Sequence, residues 1–318
     1  MEVQEILPQA VEKIREFYSK NPDGIVVIRW ATATGKSKLS VLLSEYFPIE
    51  IISADSRQLF KEMDIWTDKV SEEIRAKIPH HQINIINPDE TYTAGQRKED
   101  TKKIIKQIHS RGHLPIIVGG TGLYIDTLYK NYSLPESAPD RELRDKLMAE
   151  EDADPWISRK KLNHIDPEEA AKHHPNSLRY IIRALEIFET TGKTKSEWFF
   201  EQEVEQPILL MGLRREKEET NQRINTRIKE MYAQWLTKEV RDLLDKWYSP
   251  KLQSMQGIGY KEIVWYIQNE YDWAKSEELL KRNTHHLAKK QRTRFRRYIA
   301  EGKISPKKNV EYVTYFLD

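Results

Sequence analysis

The sequence predicts an α/β fold, with a parallel sheet core, a helical insertion and a helical C-terminal part. Three observations lead there. Short apolar runs alternate with helix-spaced segments over the first third of the chain. A glycine-lysine-serine turn follows the first apolar run and opens a helix. Beyond residue 140 strand-like runs nearly vanish and helical spacing takes over. Alternation of strand and helix is what a parallel sheet with crossover helices on both faces requires.

Taken in order, residues 1–20 read as an amphipathic helix with Ile6, Val11, Ile14 and Phe17 on one side. Glu2, Glu5 and Glu12 interrupt any continuous apolar stretch, so the segment is not a signal peptide. Residues 25–28 form a buried strand, 36–46 a helix and 49–53 a second strand. A polar-faced helix over 96–111 keeps Ile104, Ile105 and Ile108 inside, and a third strand at 114–118 ends on Gly119-Gly120. Residues 131–139 are a loop rich in Pro and Ser. Residues 140–200 read as all helix, broken at Pro155, Pro167 and Pro175. A strand-like run at 208–213 returns the chain to the sheet. Residues 216–300 are helical again, with interruptions near Ser249-Pro250 and 257–259. The expected division is an N-terminal helical extension (1–22), an α/β core (23–130 with 205–318) and a helical insertion (131–204).

Lys and Arg total 52 and Asp and Glu 50, so the net charge of +2 says little, but the distribution says more. Between residues 281 and 308 stand Lys281, Arg282, Lys289, Lys290, Arg292, Arg294, Arg296, Arg297, Lys303, Lys307 and Lys308, with Glu301 the single acid. Such a block is the footprint of a polyanion partner, or else a solvated helix face. The chain has no cysteine, which excludes disulfides, thiolate nucleophiles and cysteine zinc sites and fits a reducing, cytoplasmic setting. No segment is long and apolar enough to span a bilayer, so no membrane partner is expected. The pairs His80-His81, His173-His174 and His285-His286 are not metal sites, since adjacent histidines share no helix face and no third ligand is evident.

The run Trp30-Ala31-Thr32-Ala33-Thr34-Gly35-Lys36-Ser37 sits between a strand and a helix, the context of a phosphate-binding loop. Backbone N–H groups and the helix N-terminus attract phosphate oxygens. Lys36 adds a compact positive charge, and the Ser37 hydroxyl can ligate Mg²⁺. The pattern departs at its first position, where glycine is replaced by Trp30. Asp55 follows the end of the second strand, where sites of open α/β sheets gather, and can serve as a general base or as a capping residue. Arg223 and Arg227 lie four apart on one helix and share a face.

Further runs follow: Ser53-Ala54-Asp55-Ser56-Arg57-Gln58, Met63-Asp64-Ile65-Trp66-Thr67, Pro79-His80-His81, Tyr92-Thr93-Ala94 and Gly119-Gly120-Thr121-Gly122-Leu123-Tyr124. Then come Arg179, Arg183-Ala184-Leu185-Glu186, Arg223-Ile224-Asn225, Met255-Gln256-Gly257-Ile258-Gly259-Tyr260-Lys261-Glu262 and Lys281-Arg282-Asn283-Thr284 through Arg297. In this order and spacing, from about residue 25 to 297, the set resembles the tRNA dimethylallyltransferases. The resemblance implies a P-loop NTPase-like core. It also implies transfer of a dimethylallyl group from its diphosphate to the exocyclic amine of the adenosine beside a tRNA anticodon.

The resemblance further implies a set of roles. Residues 30–37 and Arg223 hold the diphosphate, with Mg²⁺ at Ser37. Lys36, Asp55 and Thr121 are catalytic, with Asp55 the base; for Thr121 an N-cap role is the alternative. Asp55, Ser56, Arg57, Gln58 and Thr121 contact tRNA, and Arg179, Tyr180, Ile181, Ile182 and Arg183 hold the anticodon region. The expected partners are the tRNA anticodon stem-loop and dimethylallyl diphosphate, with the protein a monomer. The competing readings are a P-loop small-molecule kinase and, if Trp30 is genuine, a tRNA-binding homologue impaired in catalysis.

Trp30, Trp66, Trp235 and Trp247 all stand where the family shows glycine. With glycine at roughly 7% of ordinary sequence, chance placement of half of the eight tryptophans there is on the order of a few in a thousand. The expectation is that the gene carries UGA at these positions, read as glycine in the natural protein. A protein with Trp30 is then expected to transfer poorly, and Trp30→Gly to restore it. Arg97, Val70 and Arg294 depart from the family's Phe, Pro and Trp in another way.

Overall fold

Ile25–Arg29 is buried at every position, as a strand covered on both faces must be. This strand, β1, is the middle of the sheet. In the computed structural model, which describes residues 2–135, 139–200, 202–300 and 309–317 with the side chains of 297–300 excepted, it is joined by β2 (Ile49–Ser53), β3 (His80–His81), β4 (Leu114–Gly119), β5 (Ile208–Arg215) and β6 (Val310–Leu317). The order is β3-β2-β4-β1-β5-β6, and every neighbouring pair is parallel. Val27 faces Ile117 on one side and Leu210 on the other. Each such aliphatic side chain, fully buried, contributes about 1.5–3 kcal/mol.

The helices are α1 (Val3–Lys20), α2 (Lys36–Leu43), α3 (Glu72–Lys77), α4 (Ala94–Ser110), α5 (Gly122–Tyr129), α6 (Arg141–Ala153), α7 (Ile157–Ile165), α8 (Pro167–Ala171), α9 (Leu178–Thr191), α10 (Lys195–Trp198), α11 (Lys217–Ala233), α12 (Leu236–Asp245), α13 (Tyr260–Ile267) and α14 (Trp273–Ala300). The chain divides into two units. The first comprises Met1–Tyr92, Asp100–Ile125 and Val204–Asp318, the second Thr93–Glu99 and Asp126–Glu203. The first unit contains the whole sheet. It also contains α1, which buries Val3, Ile6, Val11, Ile14 and Phe17 and packs on α2. A second core in this unit joins Phe60 and Met63 to Met231, Leu236, Val240, Met255, Tyr260 and Ile263.

The second unit is helical and closes around Leu147, Leu162, Ala170, Ile181, Ile182 and Leu185. Glu186, fully buried there, accepts from the Arg144 guanidinium at 2.7 and 2.9 Å and from Arg183. Burial alone would raise its carboxyl; the two arginines outweigh it and hold it below the ordinary range.

Two strands go beyond the sequence pattern. β3 has only two residues, too few for a periodic signal, and β6 lies beyond the long helical run. The helices reach within a few residues of their expected bounds, ending at Leu43 rather than 46 and starting at Ala94 rather than 96. Pro135 and Pro139 flank residues 136–138, which lie outside the described residues, as do Glu301, Lys303, Lys307 and Lys308.

Three tryptophans occupy the left-handed backbone region: Trp156 at φ 77°, Trp235 at φ 69° and Trp247 at φ 65°. Trp235 is 72% and Trp247 93% exposed, so little packing repays the strain. A side chain there costs roughly 1–2 kcal/mol over glycine, partly offset by the larger entropy glycine loses on folding. Trp235→Gly and Trp247→Gly are each expected to raise unfolding free energy by about 1 kcal/mol in urea titration. A fall at both positions would refute the strain, and UGG codons at both would refute the glycine reading of the gene. Trp156 is a further such position that the sequence pattern does not single out.

Candidate active site

β1 delivers the chain into a turn that ends in α2. Ala33 and Gly35 take left-handed backbone, at φ 62° and 96°, and this folds residues 31–35 back on themselves. The Lys36 Nζ donates to Ala31 O at 2.6 Å and the Thr34 hydroxyl to the same oxygen at 3.1 Å. Burial pulls the Lys36 ammonium down to about 8, although the nearby Asp55 charge works against the fall. A β-carbon on Gly35 would lie 2.6 Å from Val3 Cγ2, so the start of α1 closes directly over the turn.

The Trp30 side chain does not stand where crowding of the loop would require it. The residue has no positive φ, it is 1% exposed, and its ring stacks on Phe295 at 6.1 Å between centroids. Its ring carbons also approach Gly212, where a β-carbon would meet them at 3.4 Å. The indole therefore lies behind the loop, in the core, and does not crowd the phosphate side; its Nε1 finds no hydrogen-bond partner among the described residues. Crowding gives no reason for weak transfer by the Trp30 protein.

A second turn leaves β2. The Asp55 Oδ1 accepts from Arg57 N–H at 2.8 Å, a local turn of the kind Asp favours. One carboxylate oxygen suffices for that bond, so the capping role and the catalytic one are compatible. A third turn leaves β4. A β-carbon on Gly119 would stand 2.2 Å from Ala54 O, so only glycine lets the second and third turns touch. Thr121 N–H donates to Ala54 O at 3.1 Å, and its Oγ1 accepts from Ser56 N–H at 3.0 Å. Thr121 thereby fixes the segment that carries Asp55.

These turns line one cavity of about 620 Å³, with Thr32, Ala33, Gly35, Lys36, Ser37, Asp55, Gln58, Arg223 and Arg227 on its wall. Trp30, Ala31, Thr34, Ser56, Arg57 and Thr121 do not line it. Ile51, Val70, Ile83 and Val118 supply aliphatic surface in the same cavity. Arg223 pairs with Glu2 at 3.3 Å and Glu219 at 3.7 Å. Arg227 donates to the Thr32 hydroxyl at 3.3 Å and pairs with Asp68 at 3.2 Å. Arg227 is therefore in direct contact with the phosphate loop, whereas the family resemblance favours Arg223 for holding the diphosphate. Gln58 spends its amide on Ser53 at 2.7 Å and on Thr67 O at 3.0 Å, which makes it a brace of the cavity wall. Arg57 reaches Gln253 O at 2.9 Å.

In the second unit Arg179 is exposed, and Tyr180, 54% exposed, stacks on His173 at 4.9 Å. Ile181 and Ile182 are core residues, 0% and 4% exposed, so their side chains offer nothing to an RNA surface. Arg183 is engaged by Glu186.

Comparison with known proteins agrees with this geometry. Residues 58–298 match the model of the IPP transferase family. A tRNA dimethylallyltransferase of Pelotomaculum thermopropionicum is 43% identical over 276 residues, 86% of this chain and 88% of the relative. One from Thermotoga maritima is 41% identical over 275 residues, 86% of this chain and 90% of the relative. The crystal structure of a Bacillus halodurans tRNA isopentenylpyrophosphate transferase superposes with TM-score 0.65 at 34% identity, covering 93% of this chain and 91% of that one. A eukaryotic dimethylallyltransferase acting on tRNA gives TM-score 0.72 at 29% identity, covering 92% and 73%. With the phosphate loop, the two further turns and the sheet order in place, the chain belongs to the IPP transferase family.

Proposed function

We propose that the protein transfers a dimethylallyl group from dimethylallyl diphosphate to the exocyclic amine of the adenosine 3′-adjacent to a tRNA anticodon. The observation that carries this is the double character of the cavity: a phosphate loop with Lys36 and two arginines, and aliphatic Ile51, Val70, Ile83 and Val118 in the same space. A prenyl diphosphate needs both. The amine attacks the allylic carbon, the carbon–oxygen bond breaks, pyrophosphate leaves, and the amine proton passes to the Asp55 carboxylate. Lys36, Arg223 and Arg227 stabilise the charge that grows on the leaving group. The target base stacks within the anticodon loop and must be extruded to reach the cavity.

Mg²⁺ fits one ligand here. Ser37 is on the cavity wall, and among the described residues no cluster of acids and histidines could hold a metal by itself. The ion would take the Ser37 hydroxyl together with diphosphate oxygens and water, and it would neutralise charge on the diphosphate. No helix among the described residues is long and apolar enough to cross a membrane. We place the protein in the cytoplasm, as a monomer.

The test is incubation with dimethylallyl diphosphate, Mg²⁺ and an anticodon stem-loop RNA. A gain of one C₅H₈ unit on the RNA is expected. Phosphoryl transfer from ATP to a small molecule, with no prenylated RNA, would replace this reading by the kinase.

The proposed tRNA surface includes α14. Arg282, Lys289 and Arg296 are spaced by seven residues, share a face and are exposed; the Arg297 side chain lies outside the described residues. Reversing Lys289 and Arg296 to Glu is expected to lower the slope of log affinity against log salt by about 0.7–0.9 for each phosphate the helix then fails to neutralise. Binding of the prenyl diphosphate stays as it was. An unchanged slope removes α14 from the RNA surface.

A further inference from the structure

Gln291 stands in a stretch of α14 that is otherwise basic, between Lys289-Lys290 and Arg292, and its side chain turns inward to the cavity wall. Its Oε1 accepts from the backbone N–H of Thr32 at 2.9 Å, and its Nε2 donates to the backbone oxygen of Gly120 at 3.0 Å. One amide thus bridges the phosphate loop after β1 and the glycine turn after β4. A β-carbon on Gly120 would fall 2.5 Å from the Gln291 Nε2, so glycine at 120 is what admits the amide. The next residue, Thr121, holds Ser56 and Ala54, and Asp55 lies between them. Contacts therefore run unbroken from Thr32 through Gln291, Gly120 and Thr121 to the segment bearing Asp55.

Building on the prenyl-transfer reading, we propose that Gln291 is a positioning residue that sets the phosphate loop at a fixed distance from the Asp55 carboxylate. The chemistry of the link demands an amide of this length. Thr32 offers a donor and Gly120 an acceptor, and a Gln side chain answers both at once. A glutamate keeps the acceptor and sets a carboxylate against the Gly120 oxygen. A methionine keeps the volume and loses both bonds. Displacement of one reacting group by about 1 Å is enough to cost as much as 10²-fold in rate.

The experiment compares full-length wild type, Gln291→Met, Gln291→Glu and Thr121→Val, with the double variant Gln291→Met/Thr121→Val, using dimethylallyl diphosphate and anticodon stem-loop RNA. Gln291→Met is expected to lower kcat between about tenfold and a hundredfold, with KM for RNA unchanged. Because both residues act on the same turn, the double variant is expected to lose no more than the worse single variant. Wild-type kcat in Gln291→Met, or losses that multiply in the double variant, overturns the proposal. Should Gln291→Met fail to fold, Gln291→Glu carries the same comparison, and wild-type kcat there overturns it equally. If the wild type transfers no prenyl group, the functional reading fails. Gln291 is then judged by calorimetry with pyrophosphate alone, where Gln291→Met is expected to bind about tenfold more weakly and equal affinity overturns the proposal.

Discussion

Asp55→Asn is expected to lower kcat by roughly 10²–10⁴-fold, the usual contribution of a general base, at saturating RNA and prenyl diphosphate. The change keeps the shape of the side chain. The amide oxygen of Asn can still accept from the Arg57 N–H, as the Asp55 Oδ1 does at 2.8 Å, so the turn after β2 survives. Thr121 still holds Ser56, and the cavity keeps its form. What disappears is a group able to take a proton from the adenine amine. Binding of stem-loop RNA, read by titration, is expected to stay within about twofold, under 0.5 kcal/mol. A fall in kcat of less than about tenfold would remove Asp55 from the base role.

Lys36→Met is expected to cost roughly 10²–10³-fold in kcat/KM for the prenyl diphosphate, the range seen when one donor to a developing oxyanion is removed. The wild type adds a pH signature. Burial brings the Lys36 ammonium down to about 8, so the charged form that attracts diphosphate prevails below that pH and is lost above it. Near pH 9 only about a tenth of the molecules would carry the charge, and the apparent KM would rise about tenfold over pH 7. Folding runs in the same sense as the shift. A lysine lowered by burial costs stability wherever it is charged, so this penalty is largest below 8 and fades as pH rises toward 10.5. Lys36→Met is expected to flatten the KM profile. A Lys36→Met protein that keeps the rise would show that another group titrates.

Much of the fold and part of the site are legible in the sequence because they rest on short-range rules. The strand at 25–28 is a run of four aliphatic residues, and the turn after it follows a known spacing. The Asp55 and Gly119-Gly120 turns are readable for the same reason. What escapes depends on partners distant in sequence. Gln291 meets Thr32 across 259 positions, and nothing in a run of Lys and Arg marks the one amide that turns inward. Arg227 gains its contact with Thr32 only through the packing of α11. Ile181 and Ile182 go the other way. The family resemblance puts them, with Arg179 and Arg183 on α9, on an RNA surface, whereas helical periodicity puts them in the core. Trp30 misleads because a sequence gives the size of a side chain and not the direction in which it leaves the loop.

The parallel order of the sheet has a consequence for the chain as it leaves the ribosome. β1 is complete at Arg29, and its partner β4 follows at Leu114, but its other neighbour, β5, begins only at Ile208. At a synthesis rate of about 5–20 residues per second, β1 therefore keeps one edge unpaired for roughly 10–40 seconds. During that interval a run of five buried residues offers bare amides and carbonyls to any extended peptide nearby. The phosphate loop emerges within the same interval, attached to at most four of the six strands and still without α14 against it. Nascent chains of this protein are thus most exposed to mispairing before β5 is made, and a pause in translation short of Ile208 would prolong the hazard.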